Sequence, residues 1–283
     1  MKVSPIQAEH LPAIGQFLHD NLNRRFTPEG WIGSLTHRWA ASLPNLGMQL
    51  HDGDRLVGVF GAIYSDQWIN GRLESFCNPF SWCVLETHRR HGIGLVLALI
   101  KQPGYHFTMF TPNPTVTKVF LGLKFTLLDD RQTRCINLPS VQGWRRGAFV
   151  ETDHDRILAR LRGHSRQDFE AHRSIAWLNF VAFGVADDCC WVIYKPYRWK
   201  RMPSAQLMHI SDATAFDRHQ GLLRQHLLVT RRMTTFSVES RWLRRAPAWS
   251  IGETRTQPKL LKSPTLAHSE VKDLYSELMS LDI

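Results

Sequence analysis

The sequence predicts an α/β protein, a mixed sheet flanked by helices, with two domains. Three observations carry this. Short apolar, β-prone runs alternate with stretches of helical periodicity along the whole chain. A basic, glycine-containing loop at 89–94 joins one such run to a helix. The element order of the second half also echoes the first: segments near Trp82 and Ala205 lie 123 residues apart, those near Phe107 and Met233 126, and Phe125 and Trp249 124. At 283 residues the chain is comfortable for two domains, and residues 139–143 form the natural link, giving 1–140 and 141–283.

Composition narrows the class. Hydrophobic residues at 43% and charged residues at 21% suffice for sizeable cores. No apolar run approaches the ~20 residues of a membrane span, and the first ten residues lack the apolar core of a signal peptide. Five cysteines without framework spacing read as reduced thiols. The expected location is therefore cytoplasmic. The net charge of +10 is uneven: residues 1–140 hold 13 Lys/Arg against 10 Asp/Glu, and residues 141–283 hold 22 against 15. Such a surface attracts nucleic acid, anionic membrane or a polyanionic cofactor, without choosing among them.

The elements follow in order. Residues 3–6 read as a short strand, and Leu11, Ile14, Leu18 and Leu22 share one helical face. Trp31, Leu35 and Trp39 at four-residue steps predict a helix over 31–41, with the aromatic stripe in the core. Strands at 48–50 and 56–63, joined by Asp52-Gly53-Asp54, predict a hairpin. Residues 67–78 read as a polar segment with an Asn70-Gly71 turn, and the strand at 82–85 follows. Beyond the helix at 95–100 come a strand at 107–111, a helix opened by Asn113-Pro114, a strand at 125–128 and a last strand at 134–138.

In the second half, strands are expected at 189–194, 206–210, 234–238 and 249–251, and a helix at 213–228 capped by Ser211 or Asp212. Val271, Leu274, Leu278 and Leu281 fall on one face of an expected helix over 269–281. The run 191–201 interleaves aromatic and basic side chains, a pattern that can track single-stranded nucleic acid; a strand with a solvated basic loop is the favoured reading.

The chemistry concentrates at 82–94. A strand that ends in a glycine-bearing turn and opens a helix turns backbone N–H groups toward one concavity, and the helix N-terminus adds partial positive charge. Arg89 and Arg90 add cations that pair with phosphate. The physical reading is a pyrophosphate cradle, against the bland alternative of a solvated basic turn. Neither Gly-x-Gly-x-x-Gly nor Gly-Lys-Ser/Thr is present there.

Arg89-x-x-Gly92-x-Gly94, with Val84 on the strand five residues before the arginine, resembles the acyl-CoA signature of the GNAT (GCN5-related N-acetyltransferase) superfamily. The resemblance extends over residues 1–140, since the order of elements matches and Asn113 and Phe125 fall in the family's Asn and Tyr-x-x-x-Gly-Phe frame. Phe120 stands where that tyrosine would be, and Lys124 where the glycine would be. The resemblance implies a GNAT acyl-CoA N-acyltransferase fold. The echo in 141–283 suggests a second, degenerate GNAT-like domain shaping the acceptor site.

By that resemblance the cosubstrate is acetyl-CoA, no metal takes part, and the acceptor is a primary amine of a small molecule. Arg89, Arg90, His91, Gly92, Ile93 and Gly94 would hold the pyrophosphate, and the backbone of Val84 or Leu85 would supply the oxyanion donor. Asn113 would contact the pantetheine or fix its helix start. Glu74 is the candidate base. Phe120 cannot donate a proton, which leaves Tyr105 or Cys83 as acid, an unassisted leaving group, or no catalysis. Two alternatives stay open: a transferase of this fold fed by aminoacyl-tRNA, and a non-catalytic acyl-CoA-binding module.

Overall fold

A computed structural model of the chain describes residues 1–37, 39–129, 131–255 and 257–282. The first stretch runs β1 (Lys2–Pro5), α1 (Leu11–Asn21), α2 (Pro28–Leu35), β2 (Gly47–Asp52), β3 (Arg55–Ile69), β4 (Arg72–Val84), α3 (Gly92–Ile100), β5 (His106–Met109), α4 (Pro114–Gly122) and β6 (Thr126–Leu127). The second runs β7 (Arg131–Ile136), β8 (Ala148–Glu151), α5 (His154–Arg160), α6 (Gly163–His172), β9 (Asn179–Val185), β10 (Asp188–Trp199), β11 (Met202–Ile210), α7 (Ala213–Gln225), β12 (Thr235–Glu239) and β13 (Ser250–Arg255). β14 (Leu260–Lys262) and α8 (Glu277–Ser280) close the chain. No helix among the described residues is long and apolar enough to cross a membrane.

Two compact units result, and a single cut at 140 does not separate them. One comprises Met1–Leu128, Pro258–Leu266 and Tyr275–Ile283; the other Asp129–Gln257 and Ala267–Leu274. The first sheet is ordered β1-β2-β3-β4-β5-β14-β6 and the second β13-β7-β12-β11-β10-β9-β8. The strand expected to finish the first half, β7, thus lies in the second sheet between β12 and β13. β14, from beyond the second half's last expected strand, sits between β5 and β6 in the first. Each sheet thus includes one strand from the other half of the sequence.

Within the first unit the sheet separates two apolar clusters. Phe60, Ala62, Tyr64, Cys77, Phe107 and Met109 pack with α3 and α4. Val59, Ile63, Phe80 and Cys83 pack with α1, α2 and Leu281. Strand alternation produces this division, since successive side chains point to opposite faces.

Two local expectations shift. α2 begins at Pro28, because Thr27 Oγ1 accepts the Gly30 amide at 3.2 Å and the proline fits the first helical position. It ends at Leu35, and Trp39 instead bridges Ser65 in a strand-like contact; Arg38, inside the expected helix, lies outside the described residues. The polar segment 67–78 belongs to a long hairpin, β3 and β4, turned by Asn70 (φ 49°) and Gly71 (φ 78°). Buried Gln67, bonded to Ser65 Oγ at 3.0 Å, and buried Asn78 hide those strands from a hydropathy pattern.

In the second unit α7 packs on the sheet through Phe216, Leu222 and Leu223. The expected C-terminal helix shrinks to α8. Residues up to Leu274 run with the second unit, where buried Arg241 pairs with Glu239 at 2.5 Å and Asp273 at 2.6 Å and also donates to the Val271 carbonyl. Aromatic side chains of the run 191–201 are engaged internally: Trp191 is buried and donates to Ser165 Oγ at 2.7 Å, and Trp199 lies 4.5 Å beneath the Arg134 guanidinium.

Candidate active site

The site is organised by the parting of β4 and β5. These parallel strands pair only at Phe76–His106 and Cys77–Phe107. Asn78, the next residue, closes the start of the gap: its Nδ2 donates to the Thr108 carbonyl at 3.0 Å and to Thr108 Oγ1 at 3.2 Å. Beyond it β4 keeps β3 as its partner up to Val84.

A bulge then re-aims the strand. Phe80 and Cys83 face Gly61 and Val59, so β4 carries one residue more than β3 there, and Ser81 sits at φ 55°. The Leu85 amide donates to the Val57 carbonyl at 2.9 Å. Amides alternate sides along a paired strand, so that of Val84 points to the open edge that β5 has left. Leu85, expected as an oxyanion donor, is thereby corrected: its N–H is held by β3. Val84 stays available.

After Val84 a 3₁₀ turn over Glu86–His91 leads directly into α3. Gly92 has an ordinary helical φ of −60°, so a left-handed turn is not its purpose. A Cβ there would meet Val84 Cγ2 at 3.2 Å and the Trp82 ring at 3.4 Å. Glycine is required for the helix start to rest directly on β4. No side chain caps α3, and its first turn carries no acidic residue. The Arg89 carbonyl takes the Gly92 amide, and a helix start without a side-chain cap favours an anion by about 0.3–1 kcal/mol at an exposed site.

Arg89 and Arg90 are exposed beside this start; Arg89 lies 3.5 Å from Glu86, and Arg90 donates to His91 Nε2 at 3.0 Å. Ile93 is exposed and Gly94 half-buried. The counterpart in the second unit differs. There Asp212 Oδ1 accepts the Thr214 and Ala215 amides, each at 2.7 Å, so a carboxylate already fills the start of α7.

Asn113 is the N-cap of α4, its Oδ1 accepting the Val116 amide at 2.9 Å. Phe120 is fully buried, its ring against Phe60, Trp82 and Phe125. Lys124 adopts φ 66° just after α4, the left-handed position that favours glycine. Near Phe120, the Trp82 indole Nε1 is buried without a hydrogen-bond partner.

Glu74 is not brought to this place. It lies ten residues before Val84, about 30 Å along an extended strand, and its carboxylate is bonded to His106 Nε2 at 3.1 Å. His106 Nδ1 shares a 2.8 Å bond with Ser263 Oγ, which also accepts the Thr265 and Leu266 amides. The three residues form a staple at the paired end of β4 and β5. Tyr105, packed on Tyr64, is at that same end. Cys83 is buried on the α1/α2 face, and burial pushes its thiol up to about 11.

The carboxylate that does reach the gap is Glu277, which the sequence reading placed in the body of a helix. Its Oε1 accepts the Phe110 amide at 2.9 Å and the Thr111 hydroxyl at 3.1 Å, and its own amide donates to Asn78 Oδ1 at 3.0 Å. Local sequence carries no signal for this, because the contact joins positions 167 residues apart.

The fold is that of solved GNAT N-acyltransferases, and the chain carries two seven-stranded sheets. No family model and no curated protein matches the sequence. Among solved structures, a GCN5-related N-acetyltransferase from Anabaena variabilis is similar with a TM-score of 0.58 at 10% identity, over 92% of this chain and 72% of that one. A probable N-acyltransferase from Enterococcus faecalis gives 0.61 at 10% identity over the same shares. A GCN5-related N-acetyltransferase from Kribbella flavida gives 0.59 at 14%, over 92% and 70%.

Proposed function

We propose that the first unit binds acetyl-CoA and transfers its acetyl group to a primary amine of a small molecule. The observation that carries this is the uncapped start of α3, seated on β4 through Gly92 and flanked by Arg89 and Arg90, beside the open edge of β4. The α3 start and the two arginines hold the pyrophosphate. The pantetheine arm runs into the gap between β4 and β5, where the Val84 amide donates to the thioester carbonyl oxygen as charge develops on it. Asp212 closes the equivalent place in the second unit to a phosphate, so one acetyl-CoA binds per chain.

Fully buried Phe120 favours a second reading, an acyl-CoA-binding module without turnover. One experiment separates the two. Thiol release from acetyl-CoA is followed with spermidine, glucosamine and lysine as acceptors, alongside a calorimetric titration of CoA. Amine-dependent thiol release supports the transferase; saturable binding without release supports the module.

A further inference from the structure

Glu277 stands out among the buried groups of the first unit. It is 1% exposed, and burial raises its carboxyl above the ordinary range. Three hydrogen bonds fix it, yet Oε2 is buried with no partner at all. The bonded neighbours are Asn78, Phe110 and Thr111, and none carries a compensating positive charge. A buried carboxylate costs several kcal/mol unless a cation or further donors meet it. The fold has fixed one oxygen and left the other buried without a partner.

Its position matters as much as its chemistry. Cys77 and Asn78 are successive residues of β4, and Cys77 faces α3, so Asn78 and the Glu277 it holds lie on the α1/α2 face. The α3 start is on the opposite face. Phe110, the residue bonded to Glu277, lies beyond Phe107, the last residue of β5 to pair with β4. Val84, whose amide faces the gap, likewise lies beyond the last pair, further along β4.

We infer that Glu277 is the general base of the transfer, receiving the acceptor amine on the α1/α2 face while acyl-CoA enters from the other. The inference rests on the acyltransferase reading above. An ammonium approaching Oε2 gives it one proton, which passes to water. The freed nitrogen lone pair then attacks the thioester carbon; the C–N bond forms and the C–S bond breaks. The second nitrogen proton reaches the departing thiolate through solvent. The sum is ammonium plus acetyl-CoA giving N-acetylamine, CoA thiol and one proton.

Glu277→Gln is the test, because its carbonyl oxygen keeps the bonds from Phe110 and Thr111. With the amine that serves the wild type best, kcat falls about 100-fold or more. CoA affinity and the melting temperature stay within error, and the acid limb of the wild-type pH–rate profile disappears. Unchanged rate and profile in a variant that binds CoA normally would reduce Glu277 to a latch and overturn the inference, leaving the acyltransferase reading intact. The wild-type profile is a control free of any folding effect: an activity flat through the whole carboxylate range also overturns it. If the wild type acetylates none of the three amines, the broader reading fails first and this one falls with it.

Discussion

The side chain of Asn78 donates to the Thr108 carbonyl at 3.0 Å, across the point where β4 stops pairing with β5. An amide side chain thereby replaces the ladder bond lost to the gap. It also accepts the Glu277 amide, so one residue ties both strands to the C-terminal segment.

Replacing Asn78 by Leu removes these bonds inside a buried site. Each backbone group left unpartnered costs about 1–3 kcal/mol. The urea midpoint of the first transition should drop correspondingly. Equal midpoints for wild type and the Leu variant would show that the clamp contributes nothing.

The two glycines of the loop should behave differently. A Cβ on Gly92 presses on Val84 at 3.2 Å, whereas one on Gly94 meets only Val3 at 3.5 Å, an ordinary contact. Gly92→Ala should lift α3 from β4 and weaken CoA binding several-fold. Gly94→Ala, inside the helix, should leave stability unchanged or raise it by up to about 1 kcal/mol. Calorimetric CoA titration and thermal melting of both variants check the contrast.

Stability should depend on pH through His209. Burial, followed by the charges of Lys272 and His172, holds its imidazole well below the usual 6.5. Below 6.5 the unfolded chain takes up a proton that the folded protein refuses. This contribution is therefore full above the unfolded value and lost as pH falls, at up to about 1.4 kcal/mol per pH unit. Denaturation at neutral pH and at about pH 5.5 should show a loss that is smaller in His209→Leu.

Much of this was legible in residues, and the illegible parts share a cause. The Asp52-Gly53 hairpin, the Asn113 cap and the junction at Val84–Gly92 are local devices, written within a few positions. The exchange of β7 and β14 is not local. Arg134 to Leu138 and Leu260 to Lys262 have strand character, but nothing in either segment states which sheet it enters. Glu277 was hidden for the same reason, since its partners lie near positions 78 and 110. The Leu85 amide was misassigned because hydrogen-bond alternation depends on the register with β3.

The exchange itself makes a prediction. A fragment ending at residue 140 keeps β7, which belongs to the other sheet, and lacks β14 between β5 and β6. Without that strand, β5 and β6 have exposed edges. The fragment should be poorly folded by circular dichroism and aggregate, whereas 1–140 and 141–283 expressed together should reassemble. A well-folded lone 1–140 would contradict the exchange.

The most direct test is calorimetric titration of the full chain with acetyl-CoA, beside Gly92→Glu. The account predicts one saturable site per chain, abolished by a carboxylate at the start of α3. No saturable binding by the wild type, or undiminished binding by Gly92→Glu, would contradict it.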